Sequence, residues 1–523
     1  MSTPDQTLIE HDRARPRLME LWWALRPLTS VVRFMQTGAH PDDEISGMLA
    51  ALAFRDGINI SYACSTRGEG GQNDIGTEAG SNLGALRTRE MERACDILGM
   101  RMYWHSTHPK DTITDFGFSK SGKETLGRWG RDRTMLRFVE IVRTEKPDII
   151  CPTFLDVPGQ HGHHRAMTEA AHAVMAAAAD PAYPTNFPSW QVKKLYLPAW
   201  SGAGQAYDDD LPPPPATMTI PGQDREPMTG WNWNRIGEQS RAYHRTQGMG
   251  RWKSAGPGHD WPLHLAESHV DGPDEAIWTG IPCTVGDLAA LPGAESIADA
   301  LQGAQSAIDA AVKNFPHFVR VADHAAKAVA QVRAAHAACP VALSYEISHR
   351  LEAKLIQLAQ VIRLALGVEA RARTSAAFVE AGSAVKLTTE IDPGTANTVE
   401  TALNLPKGWT STGDEIVLSP ETPVSNPYRT SYDPIAPATP YLDVTIAHNG
   451  TEITVPVAFD DELVVIPRER VSLTPSASIL NINVPNRTIM LAVSDLSPAD
   501  ATVDLAFPSG WSAERNAAGF AIT

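Results

Sequence analysis

The chain has 523 residues, 43% of them hydrophobic and 20% charged, a composition expected of an ordinary globular protein with room for about three or four domains. Forty-five basic against 61 acidic residues leave a net charge of −16, which argues against a nucleic-acid partner held by phosphate neutralisation and against an anionic membrane surface. Cys64, Cys95, Cys151, Cys283 and Cys339 are too scattered for a disulfide framework or a thiolate zinc site, and no stretch approaches the ~18 apolar residues of a membrane span.

The opening segment MSTPDQTLIEHDRARPR puts Asp5, Glu10 and Asp12 where a signal peptide needs an apolar core, so a cytoplasmic protein is expected. Residues 1–30 read as an arm or first helix whose LMELWWAL packs on the domain that follows. In the next stretch, strand-like VVRFMQTG, INISYACST, RMYWHST, PDIICPTF and KKLYLPAW alternate with helix-like ISGMLAALAF, LRTREMERACDIL, RTMLRFVEIVRTE and HRAMTEAAHAVMAAAA. That alternation predicts an α/β domain with a Rossmann-like, mostly parallel sheet, which binds ligands beyond the carboxyl ends of its strands. Asp208 to Pro215, an acidic run and then prolines, is a surface loop; helix resumes over 230–250, and the domain is drawn as 31–275.

Residues 276–372 are Ala-rich and helical. Ile347, Leu351, Leu355, Leu358 and Ile362 fall on one helix face, with Ser344 as N-cap and Gly367 as stop. Two or three packed helices are expected here, serving as a spacer or as the contact of a homo-oligomer. From 373 the period changes to two: Leu442, Val444 and Ile446 alternate, Asn449-Gly450 follows, then Ile453, Val455, Val457 and Phe459. Asn-Gly between alternating runs is the strongest short hairpin signal, and 373–467 reads as an all-β sandwich. LNLPKGW ending at Trp409 recurs as LAFPSGW ending at Trp511. Residues 468–523 therefore read as a partial second sandwich unit, with Leu480, Ile482 and Val484 facing whatever covers it.

Two clusters carry the chemistry. His40-Pro41-Asp42-Asp43-Glu44 follows the first strand, and Gln160-His161-Gly162-His163-His164 follows PDIICPTF. On local sequence alone, the first is also readable as a capped helix start with acids on the helix dipole, and the second as a polar surface loop. Together, both sit at strand ends that a doubly wound sheet brings to one crevice. Histidine nitrogen and carboxylate oxygen suit Zn²⁺, and three protein ligands with one open position define a catalytic site. His40, Asp43 and one histidine of the second cluster give that count. Asp42 beside them is placed to be a general base, and a second histidine to stabilise an oxyanion, so hydrolysis of an amide or ester is expected. Arg67 to Gly71 is Gly-rich but lacks a nucleotide-binding pattern, and it shapes a pocket wall instead. Arg67 either contacts substrate or pairs with Glu69 or Glu90. His244 is either a pocket residue or a satisfied helix histidine. Trp231, Trp233 and Trp252 are a structural set or a sugar-stacking surface.

These residues resemble the PIG-L (LmbE-like) N-acetylglucosamine deacetylase family. The resemblance rests on Ala39-His40-Pro41-Asp42-Asp43-Glu44, His161-x-x-His164 and Thr66-Arg67-Gly68-Glu69-Gly70-Gly71. It extends to Arg87-x-x-Glu90 with Ile97-Leu98-Gly99, to Asp115-Phe116-Gly117-Phe118, and to His244-Arg245-Thr246-Gln247. It implies one zinc ion on His40, Asp43 and His164, Asp42 as base, and His161 as the group that stabilises the oxyanion and protonates the leaving amine. It implies that Arg87 and Asp115 hold sugar hydroxyls of an N-acetylated sugar or glycoconjugate. With these, Arg67 and His244 make up the expected substrate contacts. Many members have His-Pro-Asp-His where this chain has His-Gly-His-His, so the usual carboxylate beside the metal site is missing and His163 is expected to point away from the metal. The rivals are an amidase of thiol–sugar conjugates and a non-catalytic glycan-binding protein on a deacetylase fold.

Overall fold

The five apolar runs become β1 (Arg33–Gly38), β2 (Asn59–Cys64), β3 (Arg101–Trp104), β4 (Ile149–Pro152) and β5 (Lys194–Pro198). In this computed structural model they pair in parallel in the order β3-β2-β1-β4-β5. The structure describes the chain apart from residues 1–5, 7–8, 11–12, 201–208, 476–477, 479–482, 484–487, 499, 508 and 517–518. The sheet grows antiparallel on one side through β6 (Met218–Ile220) and β7 (Trp261–Ser268), with β7 against β5. On the other side Ser431–Tyr432, from far down the chain, pairs antiparallel with β3. The result is a mixed eight-stranded sheet with a parallel centre.

Every residue of β1 and β2 is buried, because helices cover both faces. The two-residue period then splits the core. Phe34, Tyr62 and Cys151 point into one layer, and Met35, Ala63 and Ile150 into the other. The expected helices appear as Ser46–Ala50, running on into a π turn over Ala51–Arg55, and as Ser81–Leu98, Arg131–Glu145 and Gly162–Ala179. One more, Gly122–Trp129, was not expected; Ser121 accepts a hydrogen bond from the Glu124 amide at its start. Among the described residues, no helix is long and apolar enough to cross a membrane.

The middle segment forms three helices, Ala298–Lys313, Phe318–Ala337 and Val341–Leu366. The last is capped at Pro340, four residues earlier than the Ser344 cap expected from sequence, and it ends at Gly367, whose φ of 70° makes the stop. This helix docks on the amino ends of the sheet strands. Arg350 forms a buried two-pronged ion pair with Asp148 at 2.6 and 2.8 Å, and Gln357 donates to Asn59 at 2.6 Å. The first helix, Arg17–Leu25, is shared. Trp23 packs on the sheet core, whereas Leu21 and Leu25 join the core of the middle helices.

Beyond 367 the regular structure of the described residues is all β. A four-stranded and a three-stranded sheet contribute Val385 and Ile416, and Leu442, Val444 and Ile453, to one core. The Asn449-Gly450 hairpin closes with His448 opposite Thr451, and both turn residues have positive φ, 49° and 77°. Residues 470–523 form a separate four-stranded sheet whose one buried hydrophobic, among the described residues, is Phe520. Leu480, Ile482 and Val484 lie outside the described residues.

Candidate metal centre and catalytic cleft

β1 and β4 are neighbours, so their carboxyl ends bring His40 and His164 together across 124 residues of sequence. Gly38 ends β1 because only a glycine fits there. A Cβ would stand 2.0 Å from the Tyr62 hydroxyl, which donates to the His40 carbonyl at 3.0 Å and fixes the turn. The Asp43 carboxylate folds back to accept the Ala39 and His40 amides at 2.9 and 2.8 Å. On the other strand, His161 is the residue before helix Gly162–Ala179 and His164 lies in its first turn, which puts both on the cleft side. Gly162 allows this turn to press on the neighbouring loop, since a Cβ would lie 2.1 Å from Ser119 Oγ.

Three donors converge. His40 Nδ1 lies 3.2 Å from His164 Nε2 and 3.5 Å from Asp43 Oδ2, and His164 Nε2 lies 3.2 Å from Asp43 Oδ1. Ligand atoms about 2.05 Å from a tetrahedral zinc ion stand about 3.3 Å apart, close to the 3.2 Å between His40 Nδ1 and His164 Nε2 and between His164 Nε2 and Asp43 Oδ1. The electrostatics agree. Burial works against charge on His40, yet the Asp43 carboxylate outweighs it and lifts the imidazole to about 9. Burial likewise opposes ionisation of Asp43, but His164 and His40 hold it well below the usual carboxylate range. The pocket is built to hold positive charge against Asp43. His164 is oriented from behind, with Nδ1 2.8 Å from Gln160 Oε1 and its ring stacked on Phe154.

His163 does not point away from the centre. It is fully buried between Phe116 and Trp129, with Nδ1 2.9 Å from His40 Nε2. With His40 Nδ1 turned to the cluster, an Nε2–H can be donated to His163, which stands as the acceptor behind this candidate ligand. His40, His161 and His163 also lie close enough to be counted as a ligand set, but the 2.9 Å contact accounts for His163 as the hydrogen-bond partner of His40.

Asp42 stands beside the triangle at a φ of 92°, a conformation that costs a non-glycine residue roughly 1–3 kcal/mol and must be held in place. It is held by Glu44, whose carboxylate accepts the Asp42 amide at 3.0 Å, and by Arg241, which donates to the Asp42 carbonyl at 2.7 Å. Burial, and then the adjacent Asp43, push the Asp42 carboxyl up to about 6. His161 Nε2 lies 3.2 Å from the Gly117 carbonyl and donates to it. Burial, then His40 and His164, hold this imidazole down to about 4, so it is neutral at pH 7.

His40, Asp42, Asp43, Glu44, His161 and His164 line one cleft of about 1220 Å³, together with Arg87, Asp115, Asn234, Arg241, Gln247 and Trp261. Two expected substrate contacts are elsewhere. Arg67 is fully buried between the rings of Trp104 and Tyr428 and donates to Thr88 and Ser106, so it does not reach the cleft. His244 is also fully buried and bonds Glu44 at 3.0 Å; its part is to brace the carboxylate that holds Asp42. Gln247 of the same element donates to the Pro41 carbonyl, so 244–247 clamps the His40–Glu44 turn from the side. Arg87 lines the cleft but spends its three nitrogens on Thr246, Gly68 and Gln72. Trp233 is structural, bonding Asp224, while Trp231 and Trp252 are exposed and off the cleft; Trp261 is the indole in its wall. Sequence reasoning gave no role to Trp261, to Gln160 as the partner of His164, or to the rim residue Phe118, which is 79% exposed. Gln160 had a signal, being the polar residue four before His164 at a strand end.

Residues 35–175 match the family described as PIG-L: GlcNAc-PI de-N-acetylase. The chain is 32% identical over 177 residues to the 1D-myo-inositol 2-acetamido-2-deoxy-alpha-D-glucopyranoside deacetylase 2 of Saccharopolyspora erythraea, which covers 31% of this chain and 63% of that protein. It is 28% identical over 189 residues to the corresponding deacetylase 1 of Frankia casuarinae, over 32% of this chain and 59% of that protein. The chain thus spans less than two thirds of the length of these relatives. The N,N'-diacetylchitobiose deacetylase from Pyrococcus horikoshii aligns at 16% identity with a TM-score of 0.31, over 51% of this chain and 93% of that chain.

Proposed function

The chain carries a PIG-L family domain, and we propose that it is a zinc-dependent N-deacetylase that releases acetate from an N-acetylated amino sugar or its conjugate. The observation that carries this reading is the triangle of His40, Asp43 and His164, with Asp42 and His161 beside it in one cleft. A divalent ion held there would supply Lewis-acid polarisation of the amide carbonyl and a more acidic attacking water.

The chain's own residues do the rest. Asp42, raised towards neutrality, is ionised at pH 7 and still basic enough to take the proton of the attacking water. The hydroxide oxygen joins the acyl carbon, the C–N bond breaks, and the nitrogen needs a proton to leave as an amine. His161 is the group to relay that proton. Its Nε2–H is committed to Gly117, so Nδ1 must take up the proton before passing it to the developing oxyanion or the leaving nitrogen. Asp115 offers a carboxylate to sugar hydroxyls in the cleft wall, and Arg87 shapes that wall by holding residues 68–72. A cleft of 1220 Å³ exceeds the ~300–1,000 Å³ of ordinary small-molecule sites, which favours a sugar conjugate over a free monosaccharide. The inositol-linked N-acetylated sugar named for the relatives is of that class.

The test is acetate release from a panel of N-acetylated glycans and sugar conjugates, with and without chelator. Release that stops on chelation and returns with zinc is expected. Binding of the same glycans without turnover by zinc-loaded protein would replace this reading with the glycan-binding one.

A further inference from the structure

The segment 426–432 belongs by sequence to the C-terminal β region, yet it is built into the deacetylase domain. Ser431 and Tyr432 add a strand to β3, and the Thr430 carbonyl accepts the Trp104 amide at 3.0 Å. Tyr428 is fully buried. Its hydroxyl donates to Glu69 Oε1 at 3.2 Å, across 359 residues of sequence. Helix Ser81–Leu98 carries Gly84 where the phenol enters; a Cβ there would lie 2.2 Å from the Tyr428 hydroxyl.

Glu69 carries the contact onward. Its other oxygen, Oε2, accepts the Arg67 amide at 3.0 Å and the Asp115 amide at 3.1 Å. Asp115 Oδ1 in turn accepts the Gly117 amide at 2.8 Å, and the Gly117 carbonyl receives His161 Nε2 at 3.2 Å. A continuous chain of hydrogen bonds therefore runs from the C-terminal region to the cleft. Asp115 and His161, at its far end, face the cleft, while Tyr428 and Glu69 do not line it.

We infer that Tyr428 is a positioning residue for the deacetylase cleft: through Glu69 it holds the 115–117 turn, and with it the Asp115 carboxylate and the His161 ring. Burial raises the Glu69 carboxyl, so this anion depends on its donors, and Tyr428 supplies the one that Oε1 receives from a side chain. The C-terminal region is then part of the catalytic unit rather than an appendage, and the boundary drawn at residue 275 does not isolate a complete active site. The kinetic part of this inference rests on the deacetylase reading; its structural part does not.

Hydrogen–deuterium exchange on the zinc-loaded full chain separates the two. Tyr428→Phe removes only the hydroxyl, and the amides over 113–118 are expected to exchange about 10-fold faster, with zinc content unchanged and kcat/KM for acetate release about 10-fold lower. Tyr432→Phe is the control. It removes a hydroxyl of the same segment that bonds Asp96, away from the cleft, and both readouts should stay native. Native exchange in Tyr428→Phe, or equal acceleration in Tyr432→Phe, overturns the inference. If Tyr428→Phe does not fold, Glu69→Gln must accelerate the same amides, and native exchange in that variant overturns the inference too. A native chain that turns over no substrate would sink the deacetylase reading, while the exchange contrast would still decide the role of Tyr428.

Discussion

Replacing His163 by phenylalanine isolates the hydrogen bond behind the candidate metal centre. The imidazole is fully buried, 4.4 Å from the Phe116 ring and 5.1 Å from Trp129, centroid to centroid, so a benzyl group keeps the volume and most of the contacts. What it loses is the acceptor 2.9 Å from His40 Nε2. The His40 N–H is then left in a dry site with nothing to receive it, at a cost of about 1–3 kcal/mol. Loss of such outer partners typically lowers metal affinity about 10–100-fold, or about 1.4–2.7 kcal/mol, so the two scales agree. The assay is zinc affinity by competition with a chelator of known strength, with the melting temperature of the metal-free proteins as a check on folding. His163→Phe should bind zinc about 10–100-fold more weakly, and His163→Asp, which restores an acceptor, should bind at least as tightly as native. Native affinity in a folded His163→Phe protein would refute the assignment and return His163 to a packing role.

Three further outcomes are expected. Asp42→Asn should retain zinc and lose about 10²–10⁴-fold in turnover, because the base goes while the ligands stay; unchanged turnover in metal-loaded protein would contradict its role. Glu145 is held below the ordinary carboxyl value by Arg101 and Arg33 against its own burial, so its contribution to stability is present above about pH 4.5 and is lost as pH falls through the lower folded value. Glu145→Gln should therefore be less stable than native by about 3–5 kcal/mol at pH 7, with the gap closing in acid, as followed by denaturant unfolding; a gap independent of pH would show that packing, not the ion pair, is responsible. Deletion of 470–523 should leave zinc content and acetate release within about twofold of native, since no described residue of that segment lines the cleft; a folded deletion protein that has lost activity would place the sheet in the active site.

The sequence carried the α/β domain well because its signals are local. Each strand of the parallel centre is one apolar run, and the two histidine clusters follow the runs that become neighbouring β1 and β4. The Asn449-Gly450 turn was legible for the same reason. Helix Gly122–Trp129 was overlooked although Ser121-x-x-Glu124 matches the capping-box sequence pattern, because only Leu126 and Trp129 mark its large apolar face. The misplaced residues depend on partners that no local pattern announces. Arg67 looked like a pocket cation; its burial is made by Tyr428, more than 350 residues away. His244 reaches Glu44 across 200 residues, and His163 is turned inward by aromatic residues of a separate loop and helix. The edge strand Ser431–Tyr432 is two residues long and has no periodicity to read.

The most direct measurement is a zinc titration of the metal-free chain followed by acetate release from an N-acetylated sugar conjugate. If His40, Asp43 and His164 hold the single ion on which hydrolysis depends, activity rises from near zero and saturates at one equivalent per chain, and the Asp43→Ala protein stays inactive at that point. Full activity in the metal-free chain, or an Asp43→Ala protein that saturates like native, would contradict the account.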